Sequence, residues 1–355
     1  MTGIPAYGVA SEAALLAALR KLPALCALTL DELETANFTG MAHDHIRLKG
    51  KGLILRVPRV SQWGLPAEVN LAYQSACFSR AEASKLTPRL FAVLPPGPAL
   101  AMGALLVEEI PGRKVRLPAD LAALAACLSR IHRLPLPAPE ARQPLLSPLH
   151  PLAQLLATIE LQSGFMTRAP LAPAAAAQLE DELAWARRFV AARAHQAGPS
   201  SLIVTDSHPG NFVLHPTGKA YFVDLEKAMY ALPAIDLAHA TLYTSTRFDP
   251  DVDAVLTREE TARFYRHYLA TLERASAEAQ LPWLAPVRRL VWLRTTTWCV
   301  KWLVESQGSD GWSRRRLDAR VSTHLEECVA DFLSPARIES LRSELEADER
   351  VGLGL

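Results

Sequence analysis

One segment constrains the fold of this chain more than any other. Residues 205–236 read TDSHPGNFVLHPTGKAYFVDLEKAMYALPAID, with short apolar runs alternating with turn formers. Just before it, residues 201–204 (SLIV) suit a short buried strand. His208-Pro209-Gly210 turns the chain, because Pro fixes φ and Gly tolerates unusual φ. Residues 212–214 make a second strand, His215-Pro216-Thr217-Gly218 a second turn, and residues 220–223 a third strand that delivers Asp224 at its end. Two hairpin strands are therefore expected to hold Asp206, Asn211 and Asp224 on one edge. Two carboxylates and an amide are hard oxygen donors of the kind that suits Mg²⁺.

The spacing D-x-x-x-x-N from Asp206 to Asn211 matches the catalytic loop of protein kinases, and Asp224 stands where their D-F-G Asp stands. The wider segment resembles the signature of the aminoglycoside phosphotransferase and choline/thiamine kinase-like family. That signature is typically H-G-D-x-H-x-x-N, then I-D-[W/F/L]-E, then a D-L-A helix start. The matching pieces here are TDSHPGN (205–211), VDLE (223–226) and IDLA (235–238). The chain departs from the pattern at Val204-Thr205, where His-Gly is usual. The resemblance implies an α+β, protein-kinase-like fold of two lobes, a small β-rich one and a large mainly helical one. It also implies ATP- and Mg²⁺-dependent transfer of the γ-phosphate to a hydroxyl of a small molecule. Asp206 would be the base, and Asn211 and Asp224 the metal ligands. Glu226 is usually structural in the family. Asp236 reads as an N-cap or a buried anchor for the catalytic loop, His208 as an orienter of the loop backbone, and His132 as a helix cap.

The rest of the chain divides accordingly into a nucleotide-binding lobe (1–108), a hinge (109–113) and a helical lobe carrying the catalytic loop and acceptor site (114–355). Residues 11–21 form a helix capped by Ser11. Residues 32–38, 45–48, 53–57, 89–94 and 101–108 read as strands, and 66–85 as a helix. Arg56 on the third strand is the phosphate clamp, and Glu68 in the first turn of the following helix is its expected ion-pair partner. The phosphate loop, residues 36–43 (ANFTGMAH), holds a single glycine; Asn37, Thr39 and Gly40 are its candidate phosphate contacts through backbone N–H groups. Glu109 and Ile110 in the VEEIPG stretch resemble the family hinge, whose backbone would read the adenine ring. Helices follow at 117–132, 152–165 and 174–195, and four more after Asp251, one of them starting at Pro286.

Trp298 and Trp302 lie four residues apart, on one helix face, with Glu305 close by. The family's choline kinases hold a quaternary ammonium in an aromatic box, so these three are the candidate acceptor wall. Choline- or thiamine-like amino alcohols, or aminoglycosides and other sugars, are the acceptors the resemblance suggests. The missing His-Gly and the glycine-poor loop point to an alternative, a nucleotide-binding pseudokinase with a regulatory or scaffold role. Charge is almost balanced, 38 basic against 37 acidic residues, with no basic stripe carrying interleaved aromatics, so nucleic acid is not an expected partner. The run Arg314-Arg315-Arg316 reads as a solvated helix face. Five scattered cysteines without a C-x-x-C pair read as small buried hydrophobes in a reducing compartment. With no signal-like start and no uncharged run of spanning length, a cytoplasmic protein without membrane contact is expected.

Overall fold

The computed structural model describes residues 11–36, 42–307 and 318–355. The arginine run 314–316 and the phosphate-loop candidates Asn37, Thr39 and Gly40 lie outside the described residues.

The smaller lobe is an antiparallel sheet of five strands: β1 (Leu33–Thr35), β2 (His43–Leu48), β3 (Leu53–Pro58), β4 (Leu90–Leu94) and β5 (Ala104–Glu108), in the order β1-β2-β3-β5-β4. Alternation along β3 decides what each face does. Leu53, Leu55 and Val57 pack with α1 (Glu12–Leu19) through Leu15, Leu16 and Leu19. Ile54 and Arg56 point the other way, toward α2 (Ala67–Ala81) and the second lobe, where the Arg56 guanidinium lies over the Phe78 ring. As expected, Ser11 caps α1, accepting the Ala14 N–H at 3.1 Å.

The crossover between the lobes is tied at both ends. On the sheet side the Glu109 N–H donates to the Gly52 carbonyl at 2.8 Å, and the Glu109 carboxylate pairs with Arg47 at 2.6 Å. On the other side β6 (Arg113–Lys114) pairs with β8 (Phe212–Leu214), which pairs in turn with β9 (Ala220–Phe222). Gly112 is required there, since a Cβ would lie 2.4 Å from the Leu214 carbonyl oxygen.

Strand pairing around the catalytic segment differs from the expectation. The strand before Asp206, β7 (Ser201–Ile203), does not join the β8–β9 hairpin; it pairs with β10 (Met229–Ala231), a strand not read from the sequence. The site is therefore held by two small sheets rather than one hairpin edge. Methionine and alanine in β10 carry little strand preference, so only pairing reveals it.

The large lobe is helical: α3 (Leu121–His132), α4 (Pro151–Ser163), α5 (Pro173–Ala192), α6 (Pro233–His239), α7 (Tyr243–Thr246), α8 (Arg258–Leu269), α9 (Arg274–Glu305), α10 (Ala319–Phe332) and α11 (Pro335–Val351). Helix α9 begins twelve residues before Pro286 and contains both Pro282 and Pro286. Its buried Trp283, Leu284 and Ala285 continue the apolar face across the prolines, so packing outweighs their stop signal. Four cysteines are buried as expected, but Cys26 is exposed; all five are free. No described helix is long and apolar enough to cross a membrane.

Three helices are locked by one carboxylate. Glu182 of α5 is fully buried and accepts from Arg289 of α9 at 2.7 and 2.8 Å and from Arg342 of α11 at 2.9 Å. Removing it takes away three buried charge-assisted hydrogen bonds, while Arg289 keeps Glu346 and Glu349 and Arg342 keeps Asp181 and Glu339. Glu182→Ala is expected to cost at least about 2 kcal/mol in urea denaturation, whereas exposed Glu180→Ala is expected to stay within about 0.5 kcal/mol. Equal midpoints for the two variants would contradict this.

Candidate active site

A cleft of about 1210 Å³ lies between the lobes, and the sequence-derived residues Asp206, Asn211, Asp224, Arg56, Glu109 and Ile110 all line it. How Asp206 comes to face it follows from a strained turn. The Asp206 N–H bonds the Val204 carbonyl at 2.8 Å, closing a three-residue turn in which Thr205 takes φ +62°. That left-handed backbone costs a non-glycine residue about 1–2 kcal/mol. Four hydrogen bonds hold it. The buried Asp236 carboxylate accepts the Val204 N–H at 2.7 Å and the Thr205 N–H at 2.8 Å. The Thr205 hydroxyl donates to the Lys227 carbonyl at 3.1 Å, and the Ser207 hydroxyl to the Asp236 carbonyl at 2.7 Å. Asp236 is thus the loop's buried anchor. His132, expected as a cap, instead meets Asp236 at 3.0 Å and the Tyr268 hydroxyl at 3.0 Å.

The far side of the loop is clamped as well. Lys114 Nζ donates to the Gly210 carbonyl and to Asp249, both at 2.8 Å. Asp249 packs so closely that a Cβ on Gly210 would lie 2.3 Å from its carboxylate oxygen. Asn211 Nδ2 donates to the Asp206 carbonyl at 2.8 Å, which commits the nitrogen and leaves Oδ1 as the free donor atom.

Two carboxylates of the site carry their own countercharges. Lys227 Nζ lies 2.7 Å from Asp206. Burial alone would raise the Asp206 carboxyl, but Lys227, with His208 and His239, drives it far below the usual range. The same pairing outweighs burial to raise Lys227. Arg56 Nη2 lies 2.5 Å from Asp224 and its Nη1 donates to the Val223 carbonyl and His45, each at 3.2 Å. Glu68 does not meet Arg56; it is exposed in the first turn of α2 and does not line the cleft. The α2 residue that reaches inward is Gln74, nearly two turns further on, where the helix faces the sheet.

Glu226, His43 and Asp224 bring ligand atoms within 4.8 Å of one another. Two of the three are already committed. Burial, and then the Asp224 charge, push the Glu226 carboxyl up to about 8; burial, and then Arg56, lower His43 to about 3. Both are neutral near pH 7, so their 3.2 Å contact is assigned as a Glu226 O–H donating to His43 Nδ1. Gln74 closes the ring, meeting His43 at 3.2 Å and Glu226 at 3.4 Å, and Gln62 also donates to Glu226. The donors left for a divalent cation are Asn211 Oδ1 and Asp224, a pair of hard oxygens that suits Mg²⁺.

The acceptor candidates divide. Trp298 and Glu305 line the cleft, and Trp298 meets Phe248 edge-on at 5.8 Å; Glu305 is paired with Lys301 at 3.5 Å. Trp302 is buried in the hydrophobic core and is not a wall. Four residues advance a helix by about 400°, so Trp302 is turned some 40° from Trp298, away from the stripe Arg294, Trp298, Lys301 and Glu305. Sequence reasoning missed Lys227, Arg294, Lys114 and Asp249. Arg294 did leave a signal, as a lone charge in the run VWLRTTTW; Asp249 left none.

The sequence profile of the phosphotransferase enzyme family (APH) matches residues 40–272, about two thirds of the chain. The chain belongs to the phosphotransferase enzyme family. Solved structures share the fold at low identity. A choline/ethanolamine kinase family protein from Mesorhizobium loti is 18% identical, covering 91% of this chain and 98% of its own, with a TM-score of 0.57. A Plasmodium vivax ethanolamine kinase is 13% identical over 86% of this chain and 83% of its own, with a TM-score of 0.55. APH(2'')-IIa in a ternary complex with streptomycin and ATP is 13% identical over 95% and 99%, with a TM-score of 0.54. No curated protein sequence is significantly similar to the chain.

In this member of the phosphotransferase enzyme family Thr205 occupies the place of the pattern's glycine, and its positive φ gives that glycine a reason. The hydroxyl bond to Lys227 offsets the strain. Thr205→Gly relieves strain but loses that bond, so it is expected to stay within about 1 kcal/mol of the parent; Thr205→Val keeps the strain, loses the bond and is expected to cost about 1–2 kcal/mol more than Gly. Thermal and urea denaturation of the pair read the order directly; Val at least as stable as Gly would rule out the strained turn.

Proposed function

We propose that this protein is an ATP- and Mg²⁺-dependent small-molecule kinase, moving the γ-phosphoryl group to a hydroxyl. The observation that supports this best is the convergence of Asp206, Asn211 Oδ1 and Asp224 on one cleft, from the 205–211 loop and from the end of β9. Asp206 aims the acceptor hydroxyl and takes its proton. Its carboxyl is a weak base, which fits a loose transition state where positioning matters more than early proton removal. Asn211 and Asp224 would hold the metal, which when bound neutralises phosphate charge. Arg56, on the sheet side, is the phosphate clamp, and the residues from Ile110 onward face the base of the nucleotide, since the Glu109 N–H is spent on Gly52.

By resemblance the acceptor is a choline- or thiamine-like amino alcohol, an aminoglycoside or another sugar; the loss of Trp302 from the wall weakens the aromatic-box case for the first. The second reading, a nucleotide-binding pseudokinase, is favoured by one observation: both Asp206 and Asp224 are engaged by resident cations.

Two variants separate the roles. Asp206→Asn is expected to lower kcat by at least about 100-fold with ATP affinity changed less than about threefold, because the base acts on the acceptor. Asp224→Ala is expected to abolish Mg²⁺-dependent ATP binding in calorimetry while Mg²⁺-free binding is little altered. Near-parental turnover in Asp206→Asn refutes the base; unchanged MgATP affinity in Asp224→Ala refutes the metal site. ATP binding without phosphotransfer to any alcohol favours the pseudokinase.

A further inference from the structure

The acceptor end of the cleft holds, among the described residues, one guanidinium without a carboxylate in contact. Its wall is the α9 stripe Arg294, Trp298, Lys301 and Glu305, facing Phe248 and the catalytic loop. Each carboxylate there has its own cation: Asp206 has Lys227 at 2.7 Å, Asp249 has Lys114 at 2.8 Å and Glu305 has Lys301 at 3.5 Å. Asp236, behind the loop, is taken by two backbone N–H groups and His132. Asp224 is matched by Arg56. Arg294 is the cation without a contact partner; the nearest charges that act on it are Asp206 and the buried Asp236 behind the loop. Among the described residues no carboxylate lies within ion-pair distance of it, and its Nη2 makes only a long contact, 3.4 Å, to the carbonyl of Thr205, the residue before the base.

The neighbouring imidazoles add no charge of their own near pH 7. Burial, then Arg294 itself, lowers His239 well below its ordinary value, and burial lowers His208, so both imidazoles are neutral near pH 7. Burial also disfavours the charged Arg294, against the pull of Asp206 and Asp236. A guanidinium remains protonated in such a place, and one whose N–H groups make only a long hydrogen bond can take an anionic partner in direct contact.

We propose that the phosphoryl acceptor is a monoanionic hydroxy acid whose carboxylate is held by Arg294 while its hydroxyl faces Asp206. This rests on the phosphotransferase reading and names its substrate class. The Arg294 guanidinium has no carboxylate in contact among the described residues, and its planar fork fits one carboxylate through two bonds. Trp298 and Phe248 would cover the carbon skeleton. A cationic amino alcohol would instead set like charge against Arg294, with Glu305 already neutralised by Lys301. In the transfer, the acceptor oxygen forms a bond to the γ-phosphorus, the bond from that phosphorus to the β,γ-bridging oxygen breaks, ADP leaves, and the hydroxyl proton goes to Asp206.

The test uses the full chain with MgATP and charge-matched alcohols: glycerate and 3-hydroxybutyrate, their amides, and choline and ethanolamine. ADP release and direct detection of the phosphorylated product are both followed. The hydroxy acids are expected to exceed their own amides by at least tenfold in kcat/KM, with choline and ethanolamine poorer still. Arg294→Gln is expected to raise the KM for the acid at least tenfold, to leave the KM for its amide within threefold, and to leave the KM for ATP within twofold; Arg294→Lys is expected to recover part of the loss. Preference for the cationic alcohols, equal use of acid and amide, or a rise in the ATP KM matching that for the acid would overturn the assignment, the last by giving Arg294 to the nucleotide. Calorimetric titration with the same acids reads binding without turnover. Binding of the acids that Arg294→Gln abolishes, without any phosphotransfer, supports the anion site and sinks the kinase reading instead. No measurable binding of either acid at millimolar concentration, in an enzyme that phosphorylates other alcohols, sinks the anion site alone.

Discussion

A single buried carboxylate sets the geometry on which the rest of this site depends. Asp236 is wholly out of solvent, and four groups from three directions converge on its residue: two backbone N–H groups, His132 and the Ser207 hydroxyl. The two N–H groups belong to Val204 and Thr205, which are the residues bent by the three-residue turn. A backbone with φ +62° at threonine is unfavourable in isolation and persists because its amides have nowhere better to go. Position 236 is also in the first turn of α6, so the helix that carries the anchor is oriented by the loop it anchors. Loop, turn and helix are one mechanical unit.

Around that unit the charges are organised in pairs that cross chain segments. Lys227 answers Asp206 across 21 residues, Lys114 answers Asp249 across 135, and Arg56 answers Asp224 across 168. Such pairs hold their partners' positions more than they add stability, since desolvation offsets much of the attraction. Glu226 and His43 show the complementary solution, two ionisable groups driven neutral by burial and knitted by glutamines. That part of the cleft floor is therefore a neutral hydrogen-bonded lattice next to one paired carboxylate.

What the sequence made legible was local. Period-two alternation in LILRVP placed Arg56 on the cleft face, and the D-x-x-x-x-N spacing with the strand-end Asp224 placed three site residues in one cavity. Partners separated by more than a hundred residues were not legible. Glu68 was chosen for Arg56 because it begins the next helix, but a first-turn residue points to solvent here while Gln74 reaches inward. The β7–β10 pairing was missed because hydrogen bonding, not composition, defines a three-residue strand. Trp302 shared a face with Trp298 by spacing, yet the small angular offset of an i, i+4 pair was enough to send one ring to the core and the other to the cleft. The threonine at 205 looked like a defect in the pattern until its φ and its hydroxyl bond gave it a structural role.

The ties at either end of the crossover have a consequence for motion. Residue 109 moves with the five-stranded sheet, through Gly52 and Arg47, while residue 113 moves with the β8–β9 hairpin that carries the Asn211 end of the catalytic loop. Between those two ties the crossover has only Ile110, Pro111 and Gly112. Pro111 has almost no freedom in φ, and Gly112 is pressed against the Leu214 carbonyl. The pivot is short and stiff on one flank, which favours rotation about a single axis over a loose swing. A tilt of the sheet about that pivot would separate Arg56 from Asp224 while Asp206, Asn211 and the cleft face of α9 stay in register with one another.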